Sequence, residues 1–455
     1  MVDNEKMKHD VPTRLVKVLN LILMMVAFGF VWYGYYAARA QVHYYRRGDW
    51  VVILLFGILY YGFCRSYDAF HISISPISEI IYSQTLALII SDFIMYVVIW
   101  LLSLYMPNAV PLLITFGVQL LISVLWTFLA HQWYFHNFQP GRTAVIYDLR
   151  EGMESLVGEY GMEKKFHIEK VLGVEECLEK LSVLDEMDTV FLSGIHSHER
   201  NIILKYCMYQ DIQVYVIPRI GDVIMGGAKK VHMFHLPMLR IDRYRPIPEY
   251  TIAKRAFDIL FSGIAIVIAS PFMLVTAIAI KSDGGPALYK QKRLTKDGKE
   301  FNVLKFRSMR VDAEKDGVAR LSTGDKDDRI TPVGKVIRKI RFDELPQLFN
   351  ILRGDMSIVG PRPERPEIAR QYEEEMPEFR LRLQAKAGLT GYAQVYGKYN
   401  TTPYDKLLMD LTYIGTPSLW EDFKICLATV KILFMPESTE GVAEGATTAM
   451  GGEKH

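Results

Sequence analysis

Two carboxylates side by side, Asp343 and Glu344, and one arginine between two prolines, Pro361–Arg362–Pro363, are the residues whose types and spacing point to chemistry. The acid pair falls in an otherwise apolar helical pattern, VGKVIRKIRFDELPQLFNIL. Neighbours on a helix diverge by about 100°, so the two carboxylates can engage different partners. One can face a phosphorus atom while the other holds Mg²⁺. Arg338 and Arg341 are close enough in sequence to keep the acids ionised. The prolines stiffen the backbone around Arg362, which can then grip a phosphate bidentately with less entropy loss. Upstream, ALYKQKRL and FNVLKFRSM read as two strands joined by TKDGKE, with Asp–Gly as the hairpin signal. Lys305 and Arg307 alternate there, which predicts that they face one side and bind phosphate. The charged, Gly-rich stretch 310–330 reads as a solvated mobile loop rather than as a metal motif at Asp325–x–Asp327.

The composition says where such a site must sit. The chain has 455 residues, half of them hydrophobic and 12% aromatic. Its mean hydropathy is +0.10 although 23% of residues are charged. That excludes a disordered chain, a collagen-like chain and a small disulfide scaffold, and it directs attention to membrane segments. Charges nearly cancel, at 53 basic and 51 acidic, and nothing global points to nucleic acid. Residues 251–345 are locally basic, with 19 Lys/Arg against 12 Asp/Glu, which suggests an anionic partner. The four cysteines are scattered, without metal spacing, and read as structural thiols in a reducing compartment.

Four apolar runs, 15–37, 50–64, 84–106 and 111–130, predict a four-helix transmembrane block over 1–137. The first run is too long for a signal peptide, and no small-residue cleavage site follows it. Lys6, Lys8, Arg14 and Lys17 in the tail put both ends of the block in the cytoplasm, against the contrary signal of Arg39, Arg46 and Arg47. The spans read as lacking polar breaks apart from Asp92, taken as a bundle hydrogen bond near the interface.

Residues 138–248 alternate strands with helices and predict a Rossmann-like α/β domain of parallel βαβ units. The first turn, DLREGM, has one glycine and two acids, so the pyrophosphate cradle is missing. A scaffold or regulatory role follows. Gly226–Gly227 with Lys229 and Lys230 is the one phosphate-friendly patch.

A fifth apolar run, 256–280, carries Ser270–Pro271 in its middle and basic residues on both flanks. Proline breaks the helical hydrogen bonding, and the flanks both favour the cytoplasm. A helix–break–helix that enters one leaflet and returns is therefore expected. Residues 421–434 read as an amphipathic interfacial helix, and 437–455 as a disordered tail.

Together, KRAFDILFSG, SPFMLV, LYKQKRL, FNVLKFRSM, IRKIRFDELPQLFNILRGDMSIVGPRP and KAGLTGYAQVYGKYN resemble the bacterial sugar transferase family over about 250–436. These are monotopic polyprenyl-phosphate glycosyl-1-phosphate transferases, and the upstream regions resemble the large-architecture branch that initiates exopolysaccharide, capsule or O-antigen assembly. The resemblance implies a bacterial inner-membrane, multi-pass protein, α plus α/β, with a mostly helical catalytic domain over 249–436 that faces the cytoplasm. It implies transfer of a hexose-1-phosphate from a UDP-sugar to undecaprenyl phosphate, with Mg²⁺, through a covalent aspartyl phosphosugar. Asp343 falls on the nucleophile, Glu344 on a metal ligand or its partner, and Arg362 on a phosphate clamp. Arg338 matches the arginine ahead of the acid pair, and Asp410 and Asp422 match acidic positions that help place the metal. Gln394 and Lys398 lie in the substrate-binding motif, where Lys386, Ala387, Tyr392, Tyr396 and Lys398 replace the more usual residues. The lipid bilayer and a homo-oligomer are among the implied partners. The rival reading is a membrane transport or sensing protein with a cytoplasmic ligand-binding domain.

Overall fold

A computed structural model describes residues 3–39, 47–103, 105–244, 246–282, 284–311, 327, 329–397 and 401–433. Asp325, Lys398, the expected tail 437–455 and most of the loop 310–330 lie outside the described residues. The chain is mostly helical with some sheet, and it divides into two compact units, Met1–Ile217 and Pro218–His455.

The first unit begins with α1 (Asp3–Val31), α2 (Arg47–Ser66), α3 (Ile77–Ser103) and α4 (Val110–Asn137). Each contains a segment long and apolar enough to cross a membrane. The interior of this bundle is more polar than the sequence suggested. Thr115, Gln119, Ser123 and Thr127, each four residues from the next, form one buried stripe on α4. Ser123 Oγ donates to Gln84 Oε1 at 2.7 Å, and Tyr60 donates to Asn20 Oδ1 at 2.9 Å. Asp92 is buried rather than interfacial, and neither carboxylate oxygen has a hydrogen-bond partner among the described residues. These polar groups were missed because they sit one per turn among leucines and isoleucines, which leaves every window apolar.

The unit continues with β1 (Gly141–Tyr147), α5 (Met153–Glu159), β2 (Phe166–Gly173), α6 (Val174–Glu179), β3 (Thr189–Ser193), α7 (Ser197–Tyr209) and β4 (Gln213–Val216). The sheet is all-parallel, in the order β2-β1-β3-β4. Ala144, Ile146, Val190 and Leu192 bury one face against α6 and α7. The loops after β1 and β3 fill each other's space: a Cβ on Gly194, whose φ is +69°, would lie 2.8 Å from the Arg150 amide. The chain itself closes the crevice where a doubly wound sheet would take a dinucleotide.

The second unit opens with α8 (Ile220–Gly226) and the hairpin β5 (Lys229–Met233) and β6 (Leu236–Arg240). The sequence placed this stretch with the α/β domain up to residue 248. Instead, Ile220, Val223 and Tyr244 pack on the apolar cluster of Ile368, Tyr372, Leu407, Leu411 and Tyr413. Apolar packing, not chain proximity, draws the boundary. The exposed Lys229 and Lys230 lie on β5.

Next comes α9 (Pro248–Ser282), a single 35-residue helix that is continuous through Pro271, not the broken pair expected. Pro271 has no amide for the Val267 carbonyl. The Ser270 hydroxyl replaces it, donating to Val267 O at 2.8 Å. The helix holds the rest of the unit along its length. Arg255 caps two carbonyls, of Ile351 at 2.6 Å and Leu352 at 2.7 Å. Asp258 accepts from the Ile358 amide at 2.9 Å and from the Ser357 hydroxyl at 3.1 Å. Met273, Ala277 and Ile280 pack on Phe306 and Ile337. The opposite face, including Leu260, Ile264, Val267 and Ile268, is exposed and apolar.

The antiparallel hairpin β7 (Leu288–Leu294) and β8 (Glu300–Phe306) turns at Asp297 and Gly298, whose φ values are 60° and 72°. Helices α10 (Pro332–Lys339) and α11 (Gln347–Arg353) follow, then β9 (Ser357–Val359), α12 (Pro366–Glu375), β10 (Gly388–Thr390), α13 (Tyr392–Tyr396), α14 (Pro403–Gly415) and α15 (Leu419–Leu433). Parallel pairing of β9 with β10 brings backbones so close that a Cβ on Gly360 would lie 2.2 Å from the Lys386 carbonyl. The Pro–Arg–Pro loop leaves from that contact.

Candidate functional site

The acid pair does not lie inside a helix. α10 ends at Lys339, Arg341 takes a left-handed φ of 58°, and Phe342–Glu344 form one 3₁₀ turn before α11. A left-handed arginine costs about 1 kcal/mol or more, so the surroundings must over-determine it. Phe342 supplies part of that hold: it packs with Ile280, Phe306 and Ile337, and its ring lies 6.2 Å from that of Phe272. With three residues per turn, consecutive side chains still diverge, so Asp343 and Glu344 point to different surroundings.

Glu344 is claimed. Lys305 Nζ, from β8, lies 2.8 Å from Glu344 Oε1, and Arg362 Nη2 lies 3.3 Å from the same oxygen. Asp343 is not: no hydrogen bond or ion pair reaches its carboxylate among the described residues. The electrostatics divide the pair accordingly. Burial and the neighbouring Glu344 charge raise the Asp343 carboxyl above the usual range, against Lys305, Arg338 and Arg341. Burial also opposes ionisation of Glu344, but Lys305 and Arg362 outweigh it and hold that carboxyl well below its usual range. Burial lowers the Lys305 ammonium, with Glu344 opposing. The Glu344 charge raises Arg362.

The remaining sequence candidates disperse. Arg338, on α10, contributes charge toward Asp343, and its buried Nη1 has no hydrogen-bond partner among the described residues. Arg307 lies past the end of β8, where strand alternation no longer applies. It turns away from Lys305 and caps α9 through Ile280 O at 3.0 Å. Gln394 lies on α13 and donates to Leu389 O at 2.8 Å; its buried Oε1 has no partner among the described residues. Asp410 pairs with Arg382 at 2.7 Å, and Asp422 accepts from Lys254, Tyr250 and Tyr413 at 2.8, 3.0 and 2.8 Å. Neither joins the acid pair, and no cluster of three or more metal-ligating side chains occurs among the described residues. Asp327 is tied to Arg329 at 2.7 Å. Sequence reasoning missed Arg293, Glu364 and Arg382, which surround the Pro–Arg–Pro loop. Spacing gave no signal for them, because Arg293 and Arg382 reach the loop from 18 or more residues away.

The arrangement offers one unclaimed carboxylate beside a carboxylate locked by two cations, with Arg362 at the edge. Two carboxylates alone cannot complete an octahedral Mg²⁺ site, but Mg²⁺ characteristically takes one or two carboxylates with substrate phosphates. Both cations converge on Glu344 Oε1, which leaves Oε2 and Asp343 as donors. The residues therefore fit the ion when a diphosphate supplies the rest.

The profile of the family described as bacterial sugar transferase matches residues 249–436. The chain is 40% identical over 234 residues to the UDP-N-acetylgalactosamine-undecaprenyl-phosphate N-acetylgalactosaminephosphotransferase of Aeromonas hydrophila, covering 50% of this chain and 54% of that one. It is 40% identical over 201 residues to the UDP-glucose:undecaprenyl-phosphate glucose-1-phosphate transferase of Caulobacter vibrioides, covering 42% and 74%. It is 38% identical over 236 residues to the undecaprenyl-phosphate galactose phosphotransferase of Salmonella typhimurium, covering 48% and 49%. The match thus spans about half the length of the first and third, and the three names carry three different sugars.

Proposed function

Because the chain belongs to the bacterial sugar transferase family, we propose that it transfers a sugar-1-phosphate from a UDP-sugar to undecaprenyl phosphate, releasing UMP. The observation that carries this reading is the asymmetry of the acid pair. Glu344 is held ionised and tethered, while Asp343 lies half-buried beside it with no hydrogen bond or ion pair among the described residues. A partly desolvated, unpaired carboxylate next to three arginines and a lysine is suited to act as a nucleophile on a polyanion.

In the first step an Asp343 oxygen attacks the β-phosphorus, which bears the sugar. The bond to the UMP oxygen breaks and UMP leaves with that electron pair. In the second, an oxygen of undecaprenyl phosphate attacks the same phosphorus and Asp343 leaves as carboxylate. Arg362 holds the charge that builds on the transferring group, with its planar fork matched to phosphate oxygens. Lys305 keeps Glu344 ionised. Asp343 and Glu344 Oε2 would hold Mg²⁺, which neutralises diphosphate charge when bound.

The reading places the enzyme in the bacterial inner membrane, at the first membrane step of exopolysaccharide, capsule or O-antigen synthesis. Helices α1–α4 cross the bilayer and α9 does not. Crossing would draw the elements packed on α9, with Lys305, Arg307 and the acid pair, into hydrocarbon, at a cost of several kcal/mol for each charge. With its apolar face in one leaflet and the opposite face on the second unit, α9 holds the acid pair at the cytoplasmic surface, where UDP-sugars and the lipid phosphate meet.

The test is incubation of the full chain with Mg²⁺, undecaprenyl phosphate and a panel of radiolabelled UDP-sugars. One sugar should pass into an organic-soluble lipid with stoichiometric UMP release. Absence of transfer across the panel would contradict the reading.

A further inference from the structure

The Pro–Arg–Pro loop is held in an unusual way. Pro361 and Pro363 have no amide hydrogens, so the loop cannot join a strand ladder through its donors. With two of its four amide donors missing, its carbonyls carry much of the hold, and four successive carbonyls are taken. The Gly388 amide donates to Pro361 O at 2.9 Å, and the Leu294 amide to Glu364 O at 3.0 Å. Between them, Arg382 Nη2 donates to Arg362 O at 2.9 Å and Arg293 Nη1 to Pro363 O at 3.1 Å. The two guanidinium groups are themselves fixed. Arg382 is 3% exposed, and both Nε and Nη2 bond to the buried Asp410 Oδ2, at 2.9 and 2.7 Å. Arg293 Nη2 donates to Gln291 Oε1 at 2.8 Å. The Glu364 carboxylate lies between them, Oε1 3.7 Å from Arg382 and Oε2 3.8 Å from Arg293.

Buried ion pairs are expensive, and apolar residues of similar volume would often stabilise as well. Burial pushes the Arg293 pKa down to about 10, with Glu364 opposing. What an apolar pair could not do is donate to a carbonyl. Resting on the transferase reading, we propose that Arg293 and Arg382, bridged by Glu364, are positioning residues that clamp the Pro–Arg–Pro backbone and so aim the Arg362 guanidinium at the transferring phosphate. Asp410 acts in this arrangement as the anchor of Arg382.

A double-substitution cycle in the full-length chain tests this. Lysine keeps the charge of Arg382 but cannot span both Asp410 and the Arg362 carbonyl. Arg382→Lys should lower kcat/KM about 10- to 100-fold, the scale of a misplaced group. In an Arg362→Ala background the same substitution should change kcat/KM less than about twofold, because the group it aims is gone. Arg293→Lys should behave alike, as a second arm if the first variant fails to fold. Losses that multiply across the cycle, a wild-type rate in Arg382→Lys, or failure of both lysine variants to fold would each overturn the proposal. A wild-type chain that releases no UMP from any UDP-sugar would overturn it together with the transferase reading, whereas an active wild type with an additive cycle would overturn the clamp alone.

Discussion

Lys305 Nζ and Glu344 Oε1 lie 2.8 Å apart, and that contact, together with Arg362, holds Glu344 ionised against burial. Burial raises the Asp343 carboxyl, and the neighbouring Glu344 charge raises it further. Asp343 must be ionised to attack, so activity falls as pH drops through its raised pKa. The acid limb of kcat/KM should lie above the ordinary aspartate range of about 4. Lys305 itself lowers the Asp343 pKa, so Lys305→Met should move that limb to higher pH as well as slow the reaction. Arg362 and Arg341 still hold Glu344 ionised without Lys305, so a limb that stays put or moves down would show that the Lys305 charge does not act directly on Asp343.

The second unit should fold and act without the first. Ile220, Val223 and Tyr244 complete its core, so the cut belongs at Pro218. A chain starting there should retain transferase activity in lipid nanodiscs. One starting at residue 249 loses those side chains and should melt several degrees lower, about 2–4 °C for each kcal/mol lost. Equal melting of the two chains would show that the segment contributes nothing to the core.

Both ends of α9 should lie on the cytoplasmic face. Thr251→Cys and Lys281→Cys, both at exposed positions, should resist an impermeant thiol reagent from outside intact cells. Labelling of one end only would mean a crossing helix. Ser270→Ala should cost about 1–2 kcal/mol, because the Val267 carbonyl would lose its donor in apolar surroundings.

Much of this was legible in the residues. Period-2 and period-3.6 patterns located the apolar helices, the parallel strands and the β7–β8 hairpin, because each is set by local alternation and turn chemistry. The acid pair and Arg362 stood out because charges in apolar patterns are rare. Helix continuity through Pro271 was not legible, since a serine hydroxyl one residue earlier replaces the missing amide. Nor was the turn at Arg341, where tertiary packing of Phe342 overrides helical propensity. Asp410 and Asp422 came in as metal-placing positions through the family resemblance, and their partners Arg382 and Lys254 are too distant in sequence to signal those pairings.

In the proposed mechanism Asp343 becomes covalently linked to the sugar phosphate. Intact-protein mass spectrometry after incubation with Mg²⁺ and the preferred UDP-sugar, without lipid acceptor, measures this directly. The account predicts a sugar-phosphate adduct on the wild-type chain that disappears on adding undecaprenyl phosphate. Asp343→Asn should form none, and its turnover should drop by roughly 10³-fold or more. No adduct, with UMP released only when both substrates are present, would mean direct transfer and would contradict the account.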